Sequence, residues 1–308
     1  MKFAVCIPIL NGGKIYLELL KALDAQDVKP SDFIVIDSGS NDGSDEASKI
    51  HGARVFKIPS SQFNHGGTRS QALSYLSDDI EIVIYLTQDA IPASLDTFSK
   101  IVSRFVNTEI GACYGRQLPH KNATPAETFS RLYNYTNQSR RNELRKNENL
   151  NFSDTNFSNS FAAYRVSALR AVGGFSNQVI LGEDVIANIE LLQAGWVTEY
   201  VGEATVYHSH NYTVHQELKR YFDIGVFHSR NSIMFTPFGT PSGRGKEYAL
   251  AEFRDMSQYG VLAQIHSVMR SGAKFLGYKL GLMEHRIPVF LKRHLSMHRR
   301  FWATRQNG

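Results

Sequence analysis

The sequence predicts an α/β fold with a mostly parallel sheet flanked by helices, followed by a helical C-terminal region. Two observations indicate the sheet. Short apolar runs alternate with amphipathic stretches over roughly the first third of the chain, which is typical of βαβ units, and Asp-containing turns follow two of those runs. A third observation sets the rest apart, because the chain after Tyr212 has mainly helical periodicity.

The strands are predicted from apolar runs and the helices from the amphipathic stretches between them. Strands are expected at 3–9, 33–36, 55–58, 82–86 and 111–114, and helices near 14–26, 43–51, 66–77 and 94–106. Pro8 is expected to break the first strand. The polar stretch 119–156 is predicted to be an insertion, since strand and helix patterns resume at 160–164 and 183–194. We therefore expect one large domain over 1–212 and a helical region over 213–308.

The composition is that of an ordinary globular protein of 308 residues, 42% hydrophobic and 20% charged. The two cysteines, Cys6 and Cys113, lie in apolar runs. We expect them to be buried thiols of a reducing compartment rather than a disulfide or a metal pair. No leader pattern and no apolar run of membrane-spanning length is visible, so a cytoplasmic protein is expected.

Basic residues crowd the last part of the chain, although the formal net charge is only +5. Residues 292–294 and 298–300 are basic, and Val289, Phe290, Leu291, Leu295, Phe301 and Trp302 alternate with them. A basic helix with an apolar face suits the anionic surface of a bilayer. Equally, such a helix can pack its apolar face on its own domain. Nucleic acid is not expected as a partner, because no DNA- or RNA-binding motif accompanies the charge.

Three acidic segments carry the chemistry. Residues 37–44 and 86–90 follow predicted strands, so their carboxylates should lie at the carboxyl ends of strands, where open α/β sheets bind ligands. Residues 182–185 open a helical pattern with a second acidic pair. Carboxylates that converge from three elements predict a metal–nucleotide site together with a general base.

These segments, with the opening Ile7-Pro8-Ile9-Leu10-Asn11, resemble in order and spacing the family 2 glycosyltransferases of GT-A fold, a Rossmann-like architecture. The resemblance runs from residue 1 to about 210. Residues 63–69, 86–92 and 276–281 are similar to segments of the bacterial rhamnosyltransferases of polysaccharide assembly. The resemblance implies a dTDP-rhamnose donor, or a UDP-sugar as the alternative. It also implies a saccharide or lipid-linked saccharide acceptor at the inner face of the plasma membrane, with 119–156 on the acceptor side.

The resemblance also implies a set of nucleotide-binding residues. Asp37 and the 8–11 loop would face the pyrimidine and the ribose. The glycine-containing start of the helix after Asn64 would offer backbone amides to a phosphate or a base carbonyl, and Arg69 would pair with the nucleotide. An Asx-type turn with a helix N-cap at Asn41 or Asp42 is the plainer interpretation of residues 37–44. The expected nucleotide-binding residues are Pro8, Asn11, Asp37, Ser38, Asp42, Gly66, Arg69, Gln88 and Asp89.

Relatives commonly carry an Asp-x-Asp metal signature, and here the corresponding triplet, Thr87-Gln88-Asp89, lacks its first carboxylate. Asp89 would hold Mg²⁺ or Mn²⁺, with His208 or His210 as an added ligand that favours Mn²⁺. The alternative for each histidine is a buried, hydrogen-bonded side chain at a strand end.

Inversion at the anomeric carbon needs one carboxylate to take the proton of the acceptor hydroxyl. The resemblance assigns this base to Asp184, with Glu183 orienting the acceptor or the helix start. Acidic residues that complement the helix dipole are the alternative explanation. Two other classes stay open at this point: a non-catalytic sugar- or nucleotide-binding module, and a nucleotidyltransferase, for which Asn11-Gly12-Gly13-Lys14 is a faint phosphate-loop signal.

Overall fold

The computed structural model describes residues 1–144, 150–239 and 244–303. The chain forms two compact units. The first comprises Met1–His120, Asn134–Asn177 and Glu183–Ser209, and the second comprises Lys121–Tyr133, Gln178–Gly182 and His210–Gly308.

Within the described ranges, nine strands form one sheet with the order β3-β2-β1-β4-β8-β6-β9-β5, and β7 also pairs with β9. Strands β3, β2, β1 and β4 run parallel, as does the pair β6–β9, whereas the pairs around β8, β5 and β7 are antiparallel. The sheet is therefore mixed, and the predicted parallel arrangement applies to its first half. The strands are β1 (Phe3–Ile9), β2 (Asp32–Asp37), β3 (Arg54–Lys57), β4 (Ile82–Leu86), β5 (Ile91–Pro92), β6 (Ile110–Leu118), β7 (Arg140–Asn142), β8 (Phe161–Arg165) and β9 (Val197–Tyr207).

Seven helices precede residue 200 in the described part of the chain, and all of them except the helix over 125–134 lie in the same unit as the sheet. In α1, Tyr16, Leu19, Leu20 and Leu23 are buried at the spacing of one helix face. Alternate residues of β1 point to opposite sides of the sheet, so Val5 and Ile7 join one core and Ala4 and Cys6 the other. The helices are α1 (Gly13–Asp24), α2 (Ser44–Ile50), α3 (His65–Ser74), α4 (Thr97–Val102), α5 (Pro125–Asn134), α6 (Val166–Ala171) and α7 (Glu183–Gln193).

The strand directions bring several loops to one edge of the sheet, which we call the carboxyl edge. Strands β1, β2, β4 and β9 all end there, because β4 and β9 are linked through two antiparallel pairs and one parallel pair. Strand β8 runs the other way, so it begins at this edge. The residues after β2, β4 and β9 and before β8 are thereby gathered together.

The second unit is helical after Tyr212. Its longest helices, α8 and α11, approach closely at Gly277 and Gly281, where an added Cβ would meet the carbonyl oxygens of Leu218 and Phe222 at 2.2 Å. No helix in the described ranges combines the length and apolar character needed to cross a bilayer. The helices are α8 (Val214–Arg230), α9 (Ser232–Phe235), α10 (Arg244–Met256), α11 (Val261–Leu282) and α12 (Val289–Leu295).

The tail differs from the predicted continuous basic helix. Helix α12 ends at Leu295, and a separate 3₁₀ turn covers Arg299–Trp302. Lys292 and Trp302 are buried; Lys292 pairs with Glu284, and its Nζ lies 5.0 Å from the Trp302 ring centroid. The prediction of one amphipathic helix was therefore wrong, because these two side chains pack inside the unit.

Both cysteines are free and buried, in agreement with the prediction. Burial raises the pKa of both thiols well above the ordinary value. They are inert core residues.

Candidate active site

The acidic pair lies at the first turn of α7. Gly182 precedes it with φ +81°, a left-handed conformation that favours glycine. Glu183 and Asp184 are then the first two residues of the helix. Favourable placement of acids at a helix N-terminus is therefore part of the explanation, but their surroundings differ from those of a surface cap.

Glu183 is held in a buried ion pair. Its Oε1 accepts hydrogen bonds from Arg69 Nη1 at 3.0 Å and from Asn159 Nδ2 at 3.4 Å. Burial alone would raise the pKa of Glu183, but the positive charge of Arg69, with a contribution from His65, holds that pKa below its ordinary value. Glu183 is thus ionised. Arg69, which was expected to pair with the nucleotide, is itself buried, and the same Nη1 also donates to the His65 carbonyl at 3.0 Å.

Asp184 has the opposite character. Burial, reinforced by repulsion from the ionised Glu183, raises the pKa of Asp184 to about 7. Its two oxygens accept the backbone N–H groups of Asn159 and Val185, both at 2.9 Å, and the residue is only partly covered. A carboxylate with a pKa near neutrality and some access can accept a proton from a substrate hydroxyl.

Asn159, two residues before β8, holds both members of this pair. Its backbone contacts Asp184, its side-chain amide contacts Glu183, and its Oδ1 accepts the Tyr164 hydroxyl at 2.7 Å. The sequence pattern does not predict a role for Asn159. Its only signal was its position just before an apolar run, and nothing local linked it to a helix 24 residues away.

The second acidic site lies where β4 and β9 end at the carboxyl edge. Asp89 Oδ1 lies 3.5 Å from His208 Nε2. His210 follows on the same loop, and one ligand atom from each of Asp89, His208 and His210 lies within 4.8 Å of the others. The structure thus brings together the three residues that were expected to hold a cation.

Gln117 on β6 fixes the orientation of His208. Its Oε1 lies 2.9 Å from His208 Nδ1, and its Nε2 donates to Ser158 Oγ at 2.8 Å. Because the amide oxygen can only accept, His208 Nδ1 donates to it, so a cation bound here would meet the other ring nitrogen, Nε2, which faces Asp89. Metal-binding histidines are oriented in this way. Gln117 was also missed, since its partner is distant in sequence.

The donor set fits a divalent cation. One carboxylate and two imidazoles suit Mn²⁺ better than Mg²⁺, which prefers oxygen ligands. In the turn that carries Asp89, Thr87 Oγ1 is buried with no hydrogen-bond partner among the described residues. This neutral oxygen lies two residues before Asp89 in the Thr87-Gln88-Asp89 triplet.

Asp37 occupies the end of β2. Its Oδ1 accepts the N–H groups of Gly39 and Ser40 at 3.2 and 2.9 Å, whereas its Oδ2 is buried with no hydrogen-bond partner among the described residues. A buried carboxylate oxygen in this state favours a ligand donor such as an imide N–H or a ribose hydroxyl.

Several other predicted nucleotide-binding residues hold the surrounding loops together. Asn11, at φ 47°, accepts Asn41 N–H at 2.9 Å. Gln88 makes two hydrogen bonds to the backbone of Leu10. Asp42 Oδ2 accepts Gly13 N–H at 2.9 Å, and Ser38 Oγ donates to the Ile9 carbonyl at 2.9 Å. These side chains shape the loops at the carboxyl edge.

Three local predictions need correction or a structural explanation. Helix α2 has Gly43 as its N-cap rather than Asn41 or Asp42. Asp42 instead accepts the Ser44 hydroxyl, and this bond together with backbone amides lowers the pKa of Asp42. Pro8 does not break β1, which continues to Ile9. At Gly66 an added Cβ would meet the Ser176 carbonyl oxygen at 1.9 Å, so this glycine permits close packing.

Curated relatives of nearly equal length are found in Salmonella. The chain is 38% identical over 307 residues to the O-antigen chain rhamnosyltransferase RfbN of Salmonella typhimurium, covering 99% of this chain and 98% of that protein. It is 36% identical over 305 residues to the O-antigen chain rhamnosyltransferase WbaN of Salmonella anatum, covering 99% and 96%.

Solved structures share the fold at low identity. The mannosyltransferase PcManGT from Pyrobaculum calidifontis, determined with GDP-Man and Mn²⁺, is similar with a TM-score of 0.56 and 16% identity over 98% of this chain and 85% of that one. The structure of S. aureus TarS 1-349 is similar with a TM-score of 0.54 and 13% identity, over 93% of this chain and 91% of that one. The predicted GT-A fold is thereby confirmed. The glycosyl transferase family 2 model matches residues 4–173, and with these relatives it shows that the chain is a glycosyltransferase of family 2.

Proposed function

We propose that the protein transfers L-rhamnose from dTDP-rhamnose, with inversion, to a lipid-linked or growing saccharide of O-antigen synthesis. Both curated relatives are named O-antigen chain rhamnosyltransferases and match over nearly their whole length. The observation that carries the mechanism is Asp184, a partly accessible carboxylate whose pKa is raised to about 7.

The base and the nucleotide-binding edge are adjacent in the first unit. Asp184 accepts the backbone N–H of Asn159, and the neighbouring Ser160 carbonyl accepts Thr87 N–H at 3.3 Å, two residues before Asp89. A donor whose diphosphate lies at Asp89 therefore has its sugar end close to the base. This arrangement supports direct displacement at the anomeric carbon.

In the proposed step the Asp184 carboxylate takes the proton of the acceptor hydroxyl. The acceptor oxygen bonds to the anomeric carbon while the bond from that carbon to the diphosphate breaks on the opposite face, so the configuration inverts. Glu183 stays ionised through Arg69, and its negative charge strengthens Asp184 as a base. Asn159 holds both carboxyl groups in place.

Asp89, His208 and His210 would hold the divalent cation, which we propose is Mn²⁺ with Mg²⁺ as the alternative. Such an ion supplies Lewis-acid stabilisation of the charge that develops on the leaving diphosphate. Gln117 keeps His208 Nε2 available for this role.

We propose that Asp37 contacts the nucleoside, because its Oδ2 is buried and has no hydrogen-bond partner among the described residues. A uridine differs from a thymidine nucleotide by a methyl group on the base and by a ribose hydroxyl, so a UDP-sugar is the alternative donor. The acceptor would be at the cytoplasmic face of the inner membrane, with the 119–156 segment, of which 145–149 lie outside the described residues, on the acceptor side.

A donor panel tests the proposal. Purified protein with Mn²⁺ and a cell-envelope lipid extract is incubated with dTDP-rhamnose, UDP-glucose, UDP-N-acetylglucosamine and GDP-mannose, and release of each nucleotide is followed by chromatography. We expect acceptor-dependent release of dTDP only, and NMR of the product should show inversion at the transferred sugar. Preference for a UDP-sugar, or retention of configuration, would contradict the proposal.

A further inference from the structure

Helix α11 exposes an apolar side to solvent. Seven large hydrophobic side chains of this helix are between 51% and 82% exposed. Their positions recur every three to four residues, so they form one stripe along the helix, with Gly272 in the middle and Lys279 at its C-terminal end. The residues of this stripe are Val261, Leu262, Ile265, Val268, Met269, Phe275 and Leu276.

The opposite side of α11 is buried and unusually polar. Arg270 is buried and pairs with Glu217 of α8, and Lys274 Nζ lies 3.7 Å from the same carboxylate. Gly277 and Gly281 admit the α8 backbone. This helix therefore reverses the usual pattern, in which the apolar side faces the core.

These contacts fix the rotation of the helix. Turning α11 to bury the stripe would break the buried ion pair between Arg270 and Glu217. It would also place larger side chains against the α8 backbone, where even a Cβ at Gly281 would approach the Phe222 carbonyl oxygen to 2.2 Å. The exposure of the stripe is thus built into the packing. Soluble monomers rarely expose contiguous apolar patches of this kind without a partner.

The charge of the C-terminal region that contains α11 indicates the chemistry of that partner. Residues 213–308 contain fifteen Lys and Arg but six Asp and Glu, a formal +9 compared with +5 for the whole chain. From Met256 onward Glu284 is the only acidic residue in the sequence, and it is buried and pairs with Arg230 and Lys292. Exposed basic residues in the same stretch are Lys279, Arg286, Arg293, Arg299 and Arg300.

We propose that the stripe of α11 docks the protein on an anionic bilayer surface, with its apolar side chains inserted at the boundary between headgroups and acyl chains. Anionic lipid satisfies both features, since it accepts apolar side chains and attracts the basic residues. A second copy of the chain satisfies only the first, because the two stripes would bring like charges together. The inference deepens the proposed function, from which it takes the expectation of a membrane-linked acceptor.

Vesicle flotation of the full-length protein tests this docking. Vesicles of phosphatidylglycerol and phosphatidylethanolamine are compared with vesicles of phosphatidylcholine at low and at physiological salt. The test variant carries Leu262→Gln, Val268→Gln and Phe275→Gln, which are exposed positions whose replacement preserves helix propensity. The matched control carries Ile50→Gln, Leu95→Gln and Val106→Gln, which are 64% to 83% exposed in the first unit.

We expect wild type and the matched control to bind the anionic vesicles and to bind less as salt rises, and the stripe variant to lose about tenfold or more in binding. Lys279→Gln with Arg286→Gln should weaken binding to anionic vesicles specifically. Equal binding by the stripe variant overturns the proposal. So does a stripe-dependent dimer in light scattering when wild type binds no vesicles.

Failure of this docking is distinguishable from failure of the proposed function. Binding to vesicles requires no donor, and transfer to a short soluble saccharide acceptor requires no membrane. We expect the stripe variant to retain that soluble transfer at the wild-type rate. If wild type binds vesicles but transfers no rhamnose, the docking surface is supported and the proposed activity is contradicted.

Discussion

Asp184 in the first unit and Glu252 in the second unit are two carboxyl groups with raised pKa values and different surroundings. Burial raises both pKa values, and a buried Arg–Glu pair lies beside each group. Asp184 is partly exposed at a helix start and accepts two backbone N–H groups. Glu252 is completely buried on α10, and its Oε1 lies 3.9 Å from Arg270 Nε.

The comparison shows that a raised pKa does not by itself identify a catalytic base. A base must also reach the proton that it takes. Asp184 has a raised pKa and is partly accessible, whereas Glu252 has a raised pKa but is completely buried against α11. Perturbed carboxyls occur in structural networks as well as in active sites, so accessibility decides between the two roles.

Asp184→Asn should produce the largest effect. We expect a loss of about 10²–10⁴-fold in the transfer rate, because the variant has no general base, with donor affinity near that of wild type. The matched variant Glu252→Gln should retain transfer. Transfer rates with a soluble acceptor and calorimetric titration with dTDP measure the activity and the donor affinity. Comparable losses of rate in the two variants would contradict the distinction between Asp184 as a base and Glu252 as a structural residue.

Asp184→Asn should also differ from wild type in how its stability depends on pH. The folded-state pKa of Asp184 is raised from 3.8 to about 7, so the stability that this group contributes is present at low pH and is lost as pH rises to about 7. Asp184→Asn should lack that loss, so its stability should change less than that of wild type between pH 3.8 and about 7. Thermal unfolding at several pH values provides the measurement, and a pH dependence equal to that of wild type would contradict the assigned environment.

The next largest effect concerns the cation site. Gln117→Leu removes the acceptor that orients His208, so Mn²⁺ affinity measured in the presence of dTDP should fall by about 10–100-fold. The matched control is Gln26→Leu, since Gln26 is also buried but bonds to Ser94 and Phe98. Asp89→Ala should weaken dTDP binding in Mn²⁺ and have no effect in EDTA. Equal binding by wild type with and without EDTA would show that the cation site is not used.

A smaller effect on activity is expected from Glu183. Glu183→Gln removes the carboxylate that pairs with buried Arg69, and Glu217→Gln removes the nearest carboxylate of buried Arg270. Each should cost about 3–5 kcal/mol of folding stability. Only Glu183→Gln should alter catalysis, because removing its charge lowers the pKa of Asp184 and moves the rising part of the pH–rate curve to lower pH. Identical pH–rate curves for both variants would contradict the claim that the charge of Glu183 raises the pKa of the base Asp184.

The sequence predicted those features that depend on local pattern. The strands β1 and β4, the helix that begins at Glu183, and the loops that carry Asp37 and Asp89 all follow from apolar periodicity and turn residues. The family resemblance, not a local pattern, implied a metal-binding role for His208 or His210, and the structure places both close to Asp89.

What could not be predicted depends on contacts between distant segments. Asn159 and Gln117 act through partners on other elements. Arg69 was expected to pair with the nucleotide, but it is buried and pairs with Glu183, which is distant in sequence. The apolar residues of the α11 stripe have the helical spacing of an ordinary core face. The glycine and arginine contacts of α11 with α8 explain why this face is exposed instead.

The pH dependence of kcat/KM for wild type, with saturating Mn²⁺ and a soluble acceptor, tests the assignment of Asp184 most directly. The base acts only when it is deprotonated, so the rate should rise with pH through an apparent pKa of about 7 and then level off. The residual rate of Asp184→Asn should lack this rise. A wild-type rate that is flat between about pH 5 and 9, or a rise that persists in Asp184→Asn, would contradict the role of Asp184 as the base.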